Sequence, residues 1–228
     1  MVEVLEAAGF QVLIPGRPLC CGRPLYDYGM LDLAERLLRQ VVDHLRPLIR
    51  EGVPMVGIEP SCLAVFRDEL LQVLPHDEDA KRLAAQSFTL AELLAAHAPG
   101  FEPPRLQGRA IVQRHCHHHA VMGFTEDARL LERIGLETEL LRSGCCGMAG
   151  SFGFERGEHY EIAVKQGERV LLPRVRKAPP DTLVLADGFS CRTQIEQGGG
   201  RNALHLAEVL QLAMRGRERT ASTGSTPP

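Results

Sequence analysis

No run in this 228-residue chain approaches the roughly 20 consecutive apolar residues of a membrane helix. No N-terminal segment reads as a signal peptide. A surplus of one charge is missing too: a net charge of −3 gives no reason to expect nucleic acid or an acidic membrane surface as partner. The paired Cys-x2-Cys knuckles of zinc modules are absent. What is there is seven cysteines, an odd number, unevenly clustered. They fit a secreted disulfide framework poorly and fit thiolate ligands or redox thiols in a reducing cytoplasm better. The 44% hydrophobic and 24% charged fractions are those of an ordinary globular protein, and the length allows one or two domains. The polar, Pro/Gly-containing stretch Arg215–Pro228 reads as a disordered tail.

The chain repeats itself. "VLEAAGFQVLIPGRPLCCG" (Val4–Gly22) resembles "LLERIGLETELLRSGCCG" (Leu130–Gly147). Each copy reads as a helix end, a glycine stop (Gly9, Gly135), a short strand and a Cys-Cys-Gly unit. An amphipathic helix follows, Leu31–Ile49 in one half and about Glu158–Val175 in the other. The β-prone runs "VPMVGI" and "TLVLAD" then lead to one more cysteine, Cys62 or Cys191, with 40 and 44 residues after the pair. Short apolar strands alternating with helices predict an α/β fold of two lobes, each a mostly parallel sheet flanked by helices. The lobes are expected at 1–100 and 105–214, related by a pseudo-twofold axis, with residues 215–228 as the tail. The second lobe opens on "RAIVQRHCHHH", with Cys116 29 positions before Cys145. Counting back equally from Cys20 lands upstream of Met1. The first lobe is therefore expected to lack its opening strand, as a C-terminal fragment of a longer polypeptide or a misassigned start would. An exposed sheet edge and self-association follow from that expectation.

Adjacent cysteines on a regular strand point to opposite faces, so both address one site only where the chain turns. Glycine directly after the pair permits such a turn. Neighbouring Cα atoms about 3.8 Å apart sit below the span of an ordinary disulfide, which favours shared metal coordination. Cys116, Cys145, Cys146 and Cys191 all follow strand C-termini, the edge where open α/β sheets gather ligands. Four thiolates there suit an iron–sulfur cluster or Zn²⁺, and their wide spacing favours the cluster. His117 or His119 is placed to hydrogen-bond a cluster sulfur. "GMAGSFG", with Gly147, reads as room for a cofactor rather than a dinucleotide loop. Glu59 reads as a helix cap more than a ligand. His44, His76, His97 and His205 belong to no visible constellation.

These residues carry a resemblance. The repeated Cys-Cys-Gly unit, with one cysteine upstream and one downstream, is similar to the cysteine-rich CCG domain. That domain occurs in heterodisulfide reductase B subunits, in the glycolate oxidase iron–sulfur subunit, and in related lactate and glycerol-3-phosphate oxidation proteins. "QRHCHHHAVMGF", "SGCCGMAGSFGFE" and "ADGFSCRTQIEQG" resemble most the C-terminal region of FAD-linked D-2-hydroxyacid dehydrogenases. The resemblance implies electron transfer from a flavin through a cluster, [4Fe-4S] in type, to a quinone or carrier protein. FAD would belong to the parent enzyme or a flavoprotein partner, and the module would be cytoplasmic, or peripheral to the inner membrane through that partner. It implies Cys116, Cys145, Cys146 and Cys191 as ligands of the second unit, with Cys20, Cys21 and Cys62 matching part of the first. Glu59 and Gly188 stand where the family often has a further cysteine. Two alternatives stay open: a heterodisulfide-reductase-like thiol–disulfide enzyme, and a zinc-stabilised interaction domain without catalysis.

Overall fold

The computed structural model describes residues 1–223. The first half runs α1 (Val2–Ala7), α2 (Arg23–Asp27), α3 (Leu31–Arg50), β1 (Met55–Val56), α4 (Pro60–Ala64), a π-helical turn (Val65–Glu69), α5 (Leu70–Val73), α6 (Glu78–Ala85), β2 (Ser87–Phe88) and α7 (Leu90–His97). The second runs β3 (Gly108–Val112), a π-turn (His118–Met122), α8 (Thr125–Ile134), β4 (Leu136–Leu140), a 3₁₀ turn (Phe152–Phe154), α9 (Glu158–Glu168), α10 (Leu171–Lys177), β5 (Leu183–Leu185), α11 (Phe189–Gly199) and α12 (Leu206–Thr223). This is a mixed α/β fold with two small parallel sheets flanked by helices.

In the three-stranded sheet the order is β4-β3-β5, with Ala110 opposite both Thr138 and Leu183. Its central strand buries Ala110, Ile111 and Val112 in succession, as expected of a strand covered on both faces. Parallel pairing places all three strand C-termini on one edge, and the segments leaving that edge carry Cys116, Cys145 with Cys146, and Cys191. In the first half only β1 and β2 pair, Met55 with Ser87 and Val56 with Phe88.

Three expectations need correction. The strand expected after Gly9 does not form: Phe10–Gly16 has no regular structure, because no neighbouring strand offers it a ladder. Instead it borders a cleft of about 650 Å³, faced by Val41 and Leu45 of α3 and by Met55 and Val56 of β1. The single helix expected over Glu158–Val175 is two, α9 and α10. Pro173 explains the break, since its ring cannot follow the carbonyl of Arg169 in a continuous helix and it has no N–H to donate. Where the tail was expected, α12 continues to Thr223, and residues 224–228 lie outside the described part.

The two halves share one core as well as having a cluster each. One buried cluster joins Val4, Leu5, Leu90 and Leu94 of the first half to Leu131, Ile134, Val209 and Leu210 of the second. Further clusters lie under the Cys146–Cys191 region and under Cys21.

Candidate metal centre

Both Cys-Cys-Gly units turn in the same way. Gly22 and Gly147 take φ of +76° and +103°, and each donates its N–H back to the first cysteine of its pair. Gly22 reaches Cys20 Sγ at 3.5 Å and Gly147 reaches Cys145 Sγ at 3.3 Å. In the second unit both Cys145 and Cys146 meet neighbouring thiols, whereas in the first Cys21 does so and Cys20 is exposed. All seven cysteines are free thiols.

In the second half the turn is held from outside. Gln194 Nε2 donates to the carbonyls of Cys146 and Ala163, at 3.2 and 3.0 Å. Gln166 reaches the Cys145 carbonyl and Gln113 the Gly144 carbonyl. Ala149 sits at φ +42°, a left-handed conformation that costs a non-glycine residue about 1–2 kcal/mol. Its N–H faces Cys145. The room expected around Gly147 is filled by α9: a Cβ at Gly147 would come within 2.2 Å of the Ala163 carbonyl oxygen. Only glycine lets the two backbones meet there.

The thiols form a chain of interacting groups, Cys116 to Cys145 to Cys146 to Cys191. Hydrogen bonding from Cys116 and Cys146, helped by the Gly147 and Ala149 N–H groups, outweighs burial and pulls Cys145 down to about 2. Cys116 and Cys146 are pushed up, chiefly by the hydrogen bond to Cys145, then in Cys146 by Cys191, and by burial in both. A second, smaller set lies in the first half, where Cys21 Sγ and Cys62 Sγ are 2.9 Å apart. The contact with Cys62 brings Cys21 down to about 7 against the effect of burial, and Cys62 is pushed up. Beside them the buried Arg23 pairs with Glu69 at 2.6 Å and Asp27 at 3.3 Å.

The halves meet at this edge. Glu59 caps α4, the Cys62 helix, by accepting from Ser61 N, and its other oxygen accepts from Phe189 N, at the start of the Cys191 helix, at 2.8 Å. The cap reading of Glu59 is therefore what the geometry gives, with a cross-link between halves added. Tyr28 hydrogen-bonds Ser151 at 2.6 Å and also Glu155. The His115 and His117 rings stand 5.4 Å apart, and both feel the Cys145 thiolate. Burial, chiefly, holds His115 down at about 4 and lowers His117. Among the described residues neither His115 Nδ1 nor His117 Nδ1 has a hydrogen-bond partner. A Cβ at Gly188 would strike the His115 ring at 2.2 Å, so a further cysteine there is sterically closed.

Residues that the sequence did not single out are Gln113, Gln166 and Gln194, which bind backbone carbonyls from distant positions and leave no local signature. His205 also proves to be tied in, donating from Nε2 to the Ile58 carbonyl at 3.0 Å and lying 3.6 Å from Asp187.

The chain is similar to known proteins. Residues 1–67 match the family described as "CCG: Cysteine-rich domain". Lactate utilization protein A of Halalkalibacterium halodurans is 32% identical over 233 residues, covering 95% of this chain and 91% of that protein. The chain belongs to the CCG cysteine-rich family. D-2-hydroxyglutarate dehydrogenase of Escherichia coli is 28% identical across 92% of this chain, which spans only 20% of that protein. A subunit of the anaerobic glycerol-3-phosphate dehydrogenase of Escherichia coli is 29% identical across 94% of this chain and 54% of its own length. Sequences similar to this chain thus occur both as proteins of similar length and as parts of longer ones. Among the described residues no helix is long and apolar enough to cross a membrane.

Proposed function

We propose that this CCG protein is an iron–sulfur electron-transfer module of a flavin-dependent 2-hydroxyacid oxidoreductase. The observation that carries the reading is the run of four thiols, Cys116, Cys145, Cys146 and Cys191, on the C-terminal edge of β4-β3-β5, whose mutual contacts lower the pKa of Cys145. A donor set of soft thiolates in small-residue surroundings fits an iron–sulfur cluster, [4Fe-4S] in type. One zinc ion would need its sulfurs at about 2.3 Å and hence about 3.8 Å from each other. Among the described residues no three of these sulfurs lie within 4.8 Å of one another, which favours the larger cluster.

The cluster, when bound, supplies one-electron storage. The chain's own groups set where it sits and how strongly it holds charge: the Gly147 N–H on Cys145, the unpartnered His117 and His115 nitrogens, and the dry floor of Ile111, Leu141 and Met148. Cys20, Cys21 and Cys62 supply three further thiols in the first half, enough for a partial site. The partner is a flavoprotein domain or subunit, and the electron acceptor is a quinone or carrier protein. The relatives named dehydrogenases support the class of reaction. The steric closure at Gly188 counts against the heterodisulfide-reductase alternative, which calls for additional cysteines. The Cys-x2-Cys spacing expected of a zinc domain is also missing.

Iron, zinc and acid-labile sulfide measured after anaerobic purification test the proposal. Several irons with matching sulfide are expected in the wild type, with their loss in Cys145→Ser and retention of most in Cys20→Ser. One zinc per chain without sulfide would overturn it.

A further inference from the structure

Behind the thiol edge lies a second polar cluster that the electron-transfer reading does not use. His118 begins the π-turn after β3, Asp127 is in the first turn of α8, and Asp187 follows β5. One ligand atom from each lies within 4.8 Å of the others. We propose that His118 Nδ1 and Asp187 bind one divalent first-row metal ion through nitrogen and oxygen donors, with Asp127 orienting the imidazole from its other nitrogen, as a site distinct from the thiolates.

His118 is the key to the cluster. Its side chain is 2% exposed, and its two ring nitrogens are in different situations. Nε2 lies 3.1 Å from Asp127 Oδ2, and in the neutral ring a proton on Nε2 satisfies that contact and leaves a lone pair on Nδ1 for an ion. Among the described residues Nδ1 has no hydrogen-bond partner. It faces Asp187 Oδ2 at 3.9 Å, too long for a hydrogen bond. Two donors held about 2.1 Å from one ion are at most about 4.2 Å apart, so 3.9 Å is a span that an ion closes. His118 and Asp187 border a cavity of about 10 Å³ that Asp127 and His205 also line, room for one small sphere.

The rest of the surroundings holds the donors still. Asp187 Oδ1 is occupied by the Leu206 N–H at 2.8 Å, which turns Oδ2 toward His118. His205 accepts from Ala207 N at its Nδ1 and donates from Nε2 to the Ile58 carbonyl, so it walls the site without ligating. A carboxylate–histidine–metal arrangement is a recurrent way to orient a ligating imidazole, and Asp127 is placed to act in that way. Two carboxylates and a neutral imidazole balance a dication's charge. A hard-to-borderline ion such as Mn²⁺ or Zn²⁺ suits nitrogen and oxygen donors, whereas thiolates favour softer ions. Bound there, the ion would tie the turn carrying Cys116 to α8 and to the end of β5.

Mn²⁺ is the probe, because the cysteines compete poorly for it. Binding is counted by electron paramagnetic resonance of free Mn²⁺ after chelator treatment, in wild type, Cys145→Ser, Asp187→Asn and Asp127→Asn. One Mn²⁺ per chain is expected in wild type and in Cys145→Ser, with affinity about 10–100-fold weaker in either Asp variant. Thermal melting should rise with Mn²⁺ in wild type and stay fixed in Asp187→Asn, which keeps an acceptor for Leu206 N–H. Absence of stoichiometric binding to the wild type, or binding lost in Cys145→Ser and kept in Asp187→Asn, overturns the proposal. The first result would mean that His118 is held between its carboxylates by a proton. Because Cys145→Ser removes the cluster in any case, this outcome is independent of the iron–sulfur assignment.

Discussion

A Cβ added at Gly147 would sit 2.2 Å from a backbone oxygen of α9, and the residue also holds φ at +103°. Gly144, three residues earlier, has φ +66° with nothing within 4 Å of its would-be Cβ. Both positions carry backbone strain for an L residue, but only one carries a clash. Gly144→Ala should therefore cost about 1–2 kcal/mol. Gly147→Ala should cost about 3 kcal/mol or more, because the obstructing atom is backbone. Denaturant melts of the two variants check this, and equal losses would contradict the packing account. His115 offers a pH test on the metal-free protein. Burial holds its folded pKa at about 4, below the ordinary 6.5, so the unfolded chain binds the proton more readily. Stability is therefore full above about pH 6.5 and falls as pH drops toward 4. The difference of about 2.5 units sets that loss at about 3 kcal/mol. His115→Gln should flatten the slope over that window in urea melts at stepped pH. The residues legible from sequence were those whose chemistry is local, the Cys-Cys-Gly units and the Glu59 cap. Gln194, His205 and Asp187 were not legible, because each acts on groups far away in the chain.

Elements followed the sequence where neighbours in the chain are also neighbours in space. Gly135 stops α8 with a left-handed φ of +94°, β4 starts at once, and Leu31–Arg50 forms the long amphipathic α3. The copy in the first half breaks down at Phe10–Gly16, because a strand is a property of a pair: with no partner beside it, the same pattern stays irregular. The consequence is unpaired backbone and apolar surface, with Leu13 56% and Ile14 75% exposed beside the cleft against α3 and β1. Such an edge invites association. Light scattering should show mass rising with concentration for the wild type and a lower mass for a Leu13→Lys/Ile14→Lys variant. A wild type that stays monomeric throughout would remove this edge as an association surface. We propose the pseudo-twofold relation of the two halves on the shared geometry of the Gly22 and Gly147 turns.

Across the molecule, the halves are joined by a common core from α1 and α7 to α8 and α12, and by Glu59, Tyr28 and His205 across the thiol edge. A cluster held there would sit at a fixed place with Ile58, Phe154 and Phe189 exposed nearby as apolar surface for a docking partner. The sequence could not reveal this shared core, since the break at 100–105 looks like a boundary in composition while the buried side chains run across it. Everything proposed for function depends on the second-half thiols carrying a redox-active cluster. An anaerobic redox titration followed by electron paramagnetic resonance, on wild type and Cys146→Ser, decides the matter. A one-electron reducible cluster signal is expected in the wild type, lost in Cys146→Ser while the variant stays folded. A redox-silent wild type, or an unchanged signal in the variant, would overturn the assignment.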